Sequence, residues 1–240
     1  VLIIGGGMVG LSIAHQLLEL NVTQSICLLD KEPALGRHSS GRNSGVLHAG
    51  IYYKPNSIKA RVCVAGAKRL RDWVEDQNLP INPCGKVIIP QRLDLDDQLD
   101  LLAERGQANG AQVELLDAQQ LCDLIPEANS VSGRALWSPN TAVVQPRRVV
   151  SQLQFELAKR GVQFLQGQKN WRAHPEKKQL ELSDGSLLEY GHLFNCAGLQ
   201  ADRIAHQFGI GHQYKLLPFK GLYWQLKPNC PIQPRTNLYP

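Results

Sequence analysis

At 240 residues the chain is long for a single domain and can bury a sizeable core, so one bipartite domain or two modules sharing a core are expected. A composition of 43% hydrophobic and 20% charged residues, with 21 Gly and 14 Pro, excludes disordered, collagen-like and coiled-coil chains, and no apolar run nears the roughly 18 to 20 residues that a bilayer span needs. The net charge of +5 comes from scattered cations, which argues against nucleic acid as a partner, and the six cysteines show no CxxC or Cys/His pairing, which points to no metal site, no disulfide framework and a reducing, cytoplasmic compartment.

The chain opens on Val, not Met, and has no basic stretch before its first apolar run, so it reads as trimmed and not as a signal peptide. Residues 1–4 form a short continuous apolar run closed by three glycines, the pattern of a strand buried on both faces of a parallel sheet. A helix is expected over 10–20, where Leu11, Ala14, Leu17 and Leu18 recur at three- and four-residue spacing, and a second strand over 25–29. Together they make a βαβ unit. Ser57 can cap a long helix reaching Trp73 and Val74, residues 86–89 read as a strand, and Asp94 can cap a helix that Asn109-Gly110 stops. Pro146 suits a helix start, with Val149, Leu153 and Leu157 as its buried face and Gly161 as its stop, before a strand over 162–165. Residues 180–182, the Ser-Asp-Gly turn at 183–185 and the run 187–196 read as a hairpin, and 199–208 as a short helix.

Gly5-x-Gly7-x-x-Gly10 falls between the first strand and the first helix, and Asp30 ends the second strand with Lys31 beside it. Gly5 permits the tight turn, Gly7 lets backbone N–H groups approach a pyrophosphate, and Gly10 allows close helix-to-strand packing. Asp30 would accept from ribose hydroxyls, which disfavours a 2′-phosphate and hence NADP, while the fingerprint itself does not separate NAD from FAD. The next segment, 39–53, is dense in glycines and small polar residues where a simple crossover would place a helix, so it can wrap a ligand or be a solvated surface loop. Within it Arg42 can neutralise phosphate, Asn43, Ser44 and Gly45 let backbone come close to a flat ring, and His48 can exchange a proton near neutral pH. The remaining histidines share no metal-ligand spacing, and Trp73, Trp137, Trp171 and Trp224 are too dispersed for a stacking box.

The glycine fingerprint, the acid on the second strand and the string Arg-Asn-Ser-Gly-Val-Leu-His-Ala-Gly-Ile-Tyr-Tyr at 42–53 together resemble the L-2-hydroxyglutarate dehydrogenase (oxidase) family, within the FAD-dependent D-amino-acid oxidase and glycine oxidase superfamily. Gly85-Lys86, the run 194–203 and the stretch 217–223 are similar to the same family. The resemblance implies an α/β fold: a Rossmann-like, glutathione-reductase-type FAD domain with an inserted, mainly antiparallel α+β substrate domain. Residues 1–82 and 139–213 would form the bipartite FAD domain, and 83–138 with 214–240 an incomplete substrate domain, since family chains continue beyond this point. It also implies that Ala197 and Gly198 pack against the adenine side of FAD and that His48 approaches the flavin ring, as general base, as covalent tether or as a packing residue. Tyr53, Lys54 and Lys220 would be substrate contacts, although the family often has Arg where Lys220 stands.

The activity so implied is oxidation of L-2-hydroxyglutarate to 2-oxoglutarate, with electrons passing to a quinone or to oxygen and peripheral association with the cytoplasmic face of a membrane. Two alternatives stand beside it: a relative acting on glycine, sarcosine or glycerol 3-phosphate, and an inert flavin-binding fragment.

Overall fold

A computed structural model describes the chain except residues 24, 223–225, 228 and 232–234. Tyr223 and Trp224, both noted in the sequence, lie outside the described residues. The chain forms two compact units, Val1–Asn43 with Pro146–Tyr223, and Ser44–Gln145 with Trp224–Pro240. The sequence puts the divisions after 82 and 138, whereas the structure puts them after Asn43 and Gln145. The reason is strand pairing: Val46–Leu47 and Ile81–Asn82 both pair antiparallel with Ala142–Val144, which ties 44–82 to the second unit.

The first unit is built on a parallel sheet in the order Leu193–Asn195, Leu2–Ile4, Cys27–Leu29, Gln163–Leu165. Leu2, Ile3 and Ile4 are all buried, which is why that strand reads as unbroken apolar sequence instead of an alternation. Helix Met8–Glu19 makes the first crossover and buries Gly10, Leu11, Ala14 and Leu18; it packs on helix Pro146–Lys159, whose buried face is Val149, Val150, Leu153 and Leu157. Strands separated by more than 160 residues of sequence thus share one sheet.

The hairpin expected over 180–196 needs correction. Gln179–Leu182 pairs antiparallel with Trp171–His174 and with Leu187–Glu189, but the run then breaks at residues 190–192 and Leu193–Asn195 joins the parallel sheet beside Leu2–Ile4. An apolar core of Leu2, Ile4, Leu29, Leu180, Leu182 and Ile204 binds the two sheets together.

The second unit is mostly antiparallel. Its larger sheet runs Asn237–Tyr239, Lys86–Ile88, Ala135–Ser138, Glu114–Leu116, with only the first pair parallel. Helix Asp97–Ala108 begins three residues after Asp94, which lies in a short 3-10 turn with its carboxylate accepting from Arg92 at 2.8 and 3.0 Å. The carboxylate of the N-cap residue Asp96 is held below its usual range by a hydrogen bond from Ser132 and by Arg134, which donates to it at 2.5 Å. The helix Ala118–Leu124 went unread in the sequence although Asp117 and Gln120 form a capping box.

Helix Ile58–Asp76 starts where the sequence places it, with Ser57 Oγ accepting from Ala60 N–H at 3.2 Å. Ser57→Ala leaves that donor without a side-chain acceptor and should cost about 1 kcal/mol of stability. Denaturant unfolding should show the loss as a lower midpoint with unchanged slope, and an unshifted midpoint would count against the cap. No helix among the described residues is long and apolar enough to cross a membrane.

Candidate FAD cradle and a buried cationic centre

The first unit carries a cleft of about 1040 Å³, at the upper end of the roughly 300–1,000 Å³ usual for ligand sites and therefore suited to an extended ligand. Gly5, Gly7, Asp30, Lys31, Ala197 and Gly198 all line it, so six of the residues picked from sequence meet on one surface. Backbone geometry explains the glycines. Gly5 has φ +110, and a Cβ there would collide with the Cys196 carbonyl; a Cβ on Gly10 would strike the Gly5 carbonyl; one on Gly7 would sit 2.9 Å from Ser40 Oγ. The N-cap of helix Met8–Glu19 is Gly7, which offers no side chain, so the first-turn N–H groups are not taken by a cap from within the turn. Asp30 Oδ2 accepts from Gly6 N–H at 2.6 Å and Oδ1 from Glu32 N–H at 2.8 Å, so the carboxylate also braces the turn. A carboxylate has further lone pairs, and Asp30 can still accept from a ribose. The lining cations Lys31, Arg37, Lys169, Arg203 and Lys215 outnumber the acids Asp30 and Asp202, which favours phosphate.

Sequence reading missed Ser40, whose Oγ accepts from Met8 N–H at 2.8 Å at the mouth of the glycine turn. The only signal was its position at the head of the small-polar loop. Trp171 and Lys169 also line the cleft, and nothing in their local pattern announces it. Conversely, the structure does not bring Arg42, Asn43, Ser44 or Gly45 to the cleft lining. Arg42 is exposed, Asn43 Nδ2 donates to the carbonyls of Ser39 and Ser40 at 2.9 and 3.1 Å, Ser44 is exposed, and Gly45 is buried with its carbonyl bonded to Val144 N–H at 2.9 Å. The chain passes from the first unit to the second between Asn43 and Ser44.

His48 lies in the second unit, half-buried, following strand Val46–Leu47. Its Nδ1 is buried and has no hydrogen-bond partner. Its ring meets Tyr239 edge-on with centroids 6.4 Å apart. Lys86, at the start of strand Lys86–Ile88, is fully buried at 0% exposure, and its Nζ also lacks a partner. That ammonium lies 4.5 Å from the ring centre of Tyr52 and 5.3 Å from that of Tyr239. Burial, with Lys86 nearby, pushes the His48 imidazole below its ordinary value; burial lowers Lys86 to about 8 and raises Tyr52 to about 12. Burial also raises the Cys63 thiol, whose Sγ donates to the His48 carbonyl at 3.2 Å.

Of the weaker substrate picks, Tyr53 is half-buried in the same unit, its carbonyl accepting from Asn109 Nδ2 at 2.9 Å, and Lys54 is exposed. Lys220 is exposed in the first unit, outside any regular element.

A glycine turn between parallel strand and helix, an acid on the next strand and a phosphate-favouring cleft define a dinucleotide-binding α/β protein. The chain belongs to the FAD dependent oxidoreductase (DAO) family, whose model matches residues 1–240. FAD is accordingly its cofactor, and the cradle described above fits it. Among curated proteins it is similar to the mitochondrial L-2-hydroxyglutarate dehydrogenase of Caenorhabditis elegans, 36% identical over 99% of this chain and 56% of that protein. The L-2-hydroxyglutarate dehydrogenase of Escherichia coli (strain K12) is 32% identical over 94% of this chain and 54% of that protein. The chain thus spans about half the length of the curated relatives it matches. Among solved structures it resembles glycine oxidase from Geobacillus kaustophilus, at TM-score 0.76 and 16% identity over 88% of this chain and 58% of that one. It also resembles the L-alpha-glycerophosphate oxidase of Mycoplasma pneumoniae with FAD bound, at TM-score 0.69 and 22% identity over 86% of this chain and 56% of that one. At these identities the two structures show a shared fold.

Proposed function

We propose that the protein oxidises L-2-hydroxyglutarate to 2-oxoglutarate. The observation that carries this reading is His48: a half-buried imidazole held neutral by its surroundings, with a buried Nδ1 that no protein group satisfies. Buried polar atoms are normally paired, so an orphan beside other titratable groups marks a place where a ligand supplies the partner. Similarity to L-2-hydroxyglutarate dehydrogenases along almost the whole chain supports the choice of ligand.

When bound, FAD supplies the acceptor for the two electrons and the hydrogen lost from C2. The chain's own part is the proton. Neutral His48 takes it from the C2 hydroxyl as the carbon–oxygen double bond forms, and burial keeps the imidazole from being protonated beforehand. In the first unit, Gly5, Gly7 and Gly10 would admit backbone to the pyrophosphate, Asp30 would receive the ribose, and the Ala197-Gly198 turn would leave space at the adenine side. The bound group would supply the route by which electrons leave to a quinone or to oxygen.

Anaerobic addition of L-2-hydroxyglutarate to the flavin-loaded protein should bleach the flavin and yield one 2-oxoglutarate per FAD. Bleaching by glycine or glycerol 3-phosphate, with none by L-2-hydroxyglutarate, would replace this reading with an amine or glycerophosphate oxidase.

A further inference from the structure

Lys86 is the most unusual residue of the second unit. It stands in the strand pairing parallel with Asn237–Tyr239 and antiparallel with Ala135–Ser138, opposite Asn237 and Ser138. A lysine in the interior strand of a sheet normally sends its ammonium to water or to an acid, because an unpaired buried charge costs several kcal/mol. Here neither happens. The side chain is fully buried, Nζ has no hydrogen-bond partner, and among the described residues the titratable groups found beside it are His48, Cys63, Tyr52 and Tyr239, none of them a carboxylate. Two aromatic faces offset part of the cost, since a cation is attracted to the negative face of a ring, but they do not neutralise it.

We propose that Lys86 is the cation that receives a carboxylate of the substrate, in the same centre as the unpartnered Nδ1 of His48. The inference rests on the reading of the substrate as a 2-hydroxydicarboxylate given above. An anion would both accept from Nζ and offset its charge, and a single ammonium matches the single charge of a carboxylate better than a doubly charged phosphate. The ring centre of Tyr52 lies 4.5 Å from Nζ and Tyr52 is 38% exposed, so a residue that covers the ammonium is itself in contact with solvent. Lys220, the other cationic candidate, is exposed in the first unit. Lysine in place of arginine supplies a point charge and not a planar fork, so one carboxylate oxygen can bond Nζ while the other is left for a neighbouring donor.

A lysine kept for a ligand and one kept for packing differ in what Lys86→Met does to affinity. Methionine conserves the length of the side chain and removes the unpaired charge, so Tm should rise in either case, whereas affinity should be lost only if the lysine binds the ligand. The experiment is calorimetric titration of the flavin-loaded protein with glutarate, a dicarboxylate that cannot be oxidised at C2. Wild type should bind it, Lys86→Met should bind about 10²-fold more weakly or worse with unchanged flavin content, and Lys86→Arg should recover part of the loss. Glutarate should also slow acylation of Lys86 in wild type, read by peptide mass spectrometry, which needs no variant to fold. Wild-type affinity in Lys86→Met, or no glutarate binding by wild type, would overturn the proposal. Glutarate binding that depends on Lys86, in a protein that L-2-hydroxyglutarate fails to bleach, would leave Lys86 as a carboxylate site and overturn only the substrate.

Discussion

His48→Asn should leave FAD bound and slow its reduction by L-2-hydroxyglutarate by about 10²-fold or more, because a positioned general base contributes roughly 10²–10⁴. Asparagine fills similar space and can still donate a hydrogen bond, but it cannot take the hydroxyl proton. The pH dependence follows from the surroundings. Burial and the neighbouring Lys86 depress the imidazole, so the neutral base predominates at pH 7 and the wild-type rate should fall on acidification only below the ordinary value near 6.5. Lys86 titrates near pH 8, so substrate binding should weaken above that as the ammonium is lost. The profile of kcat/KM should therefore be a bell bounded below 6.5 on the acid side and near 8 on the alkaline side, and His48→Asn should lack the acid limb. Stopped-flow reduction at several pH values reads both limbs. An acid limb that survives in the variant would remove His48 from proton transfer, and flavin that stays with acid-precipitated wild type but leaves the variant would make it a covalent tether instead.

Some of this was legible in the sequence because it is local. The glycine fingerprint sits between elements that a few residues specify: Leu2–Ile4 reads as a strand from its unbroken apolar run, and Met8–Glu19 as a helix from Leu11, Ala14 and Leu18. Asp30 could be placed because strand Cys27–Leu29 ends just before it. Short strands whose pairing decides the unit boundary were not legible. Val46–Leu47 and Ile81–Asn82 are two residues each, too short for any periodicity to register, and only their common partner Ala142–Val144 gives them meaning. The same limit hid the cationic centre. Lys86 looks like a surface residue at a strand start, and Tyr52, Cys63 and Tyr239 are scattered over almost 190 positions. No spacing rule joins them, since the sheet that pairs Asn237–Tyr239 with Lys86–Ile88 brings the last residues of the chain to this strand. His48 was legible as a proton-exchanging residue by type, but its orphaned Nδ1 and depressed affinity for a proton are products of packing.

Gly5→Ala should cost on the order of 2–6 kcal/mol and strip the protein of flavin. Two penalties coincide there. The residue has φ +110, where an L side chain is strained by about 1–3 kcal/mol, and the new Cβ would collide with the Cys196 carbonyl and come 3.1 Å from Ala197 Cα. Those neighbours are backbone, and they are pinned on both sides: Cys196 N–H donates to the Ile4 carbonyl at 2.7 Å and Gly5 N–H to the Leu29 carbonyl at 2.8 Å. Relief would require the strand Leu193–Asn195 to part from Leu2–Ile4, which adds a further 1–3 kcal/mol of overpacking. Against a total stability of about 5–15 kcal/mol, a loss of this size should lower Tm by about 10 °C or more. The same strain should push the Ala197-Gly198 turn from the glycine turn, and both turns line the same cleft. Gly191→Ala is the control, because nothing lies within 4 Å of a Cβ built there. It should retain both wild-type Tm and yellow colour. A Gly5→Ala protein that melts with wild type and keeps its flavin would show that the turn yields more easily than its hydrogen bonds allow.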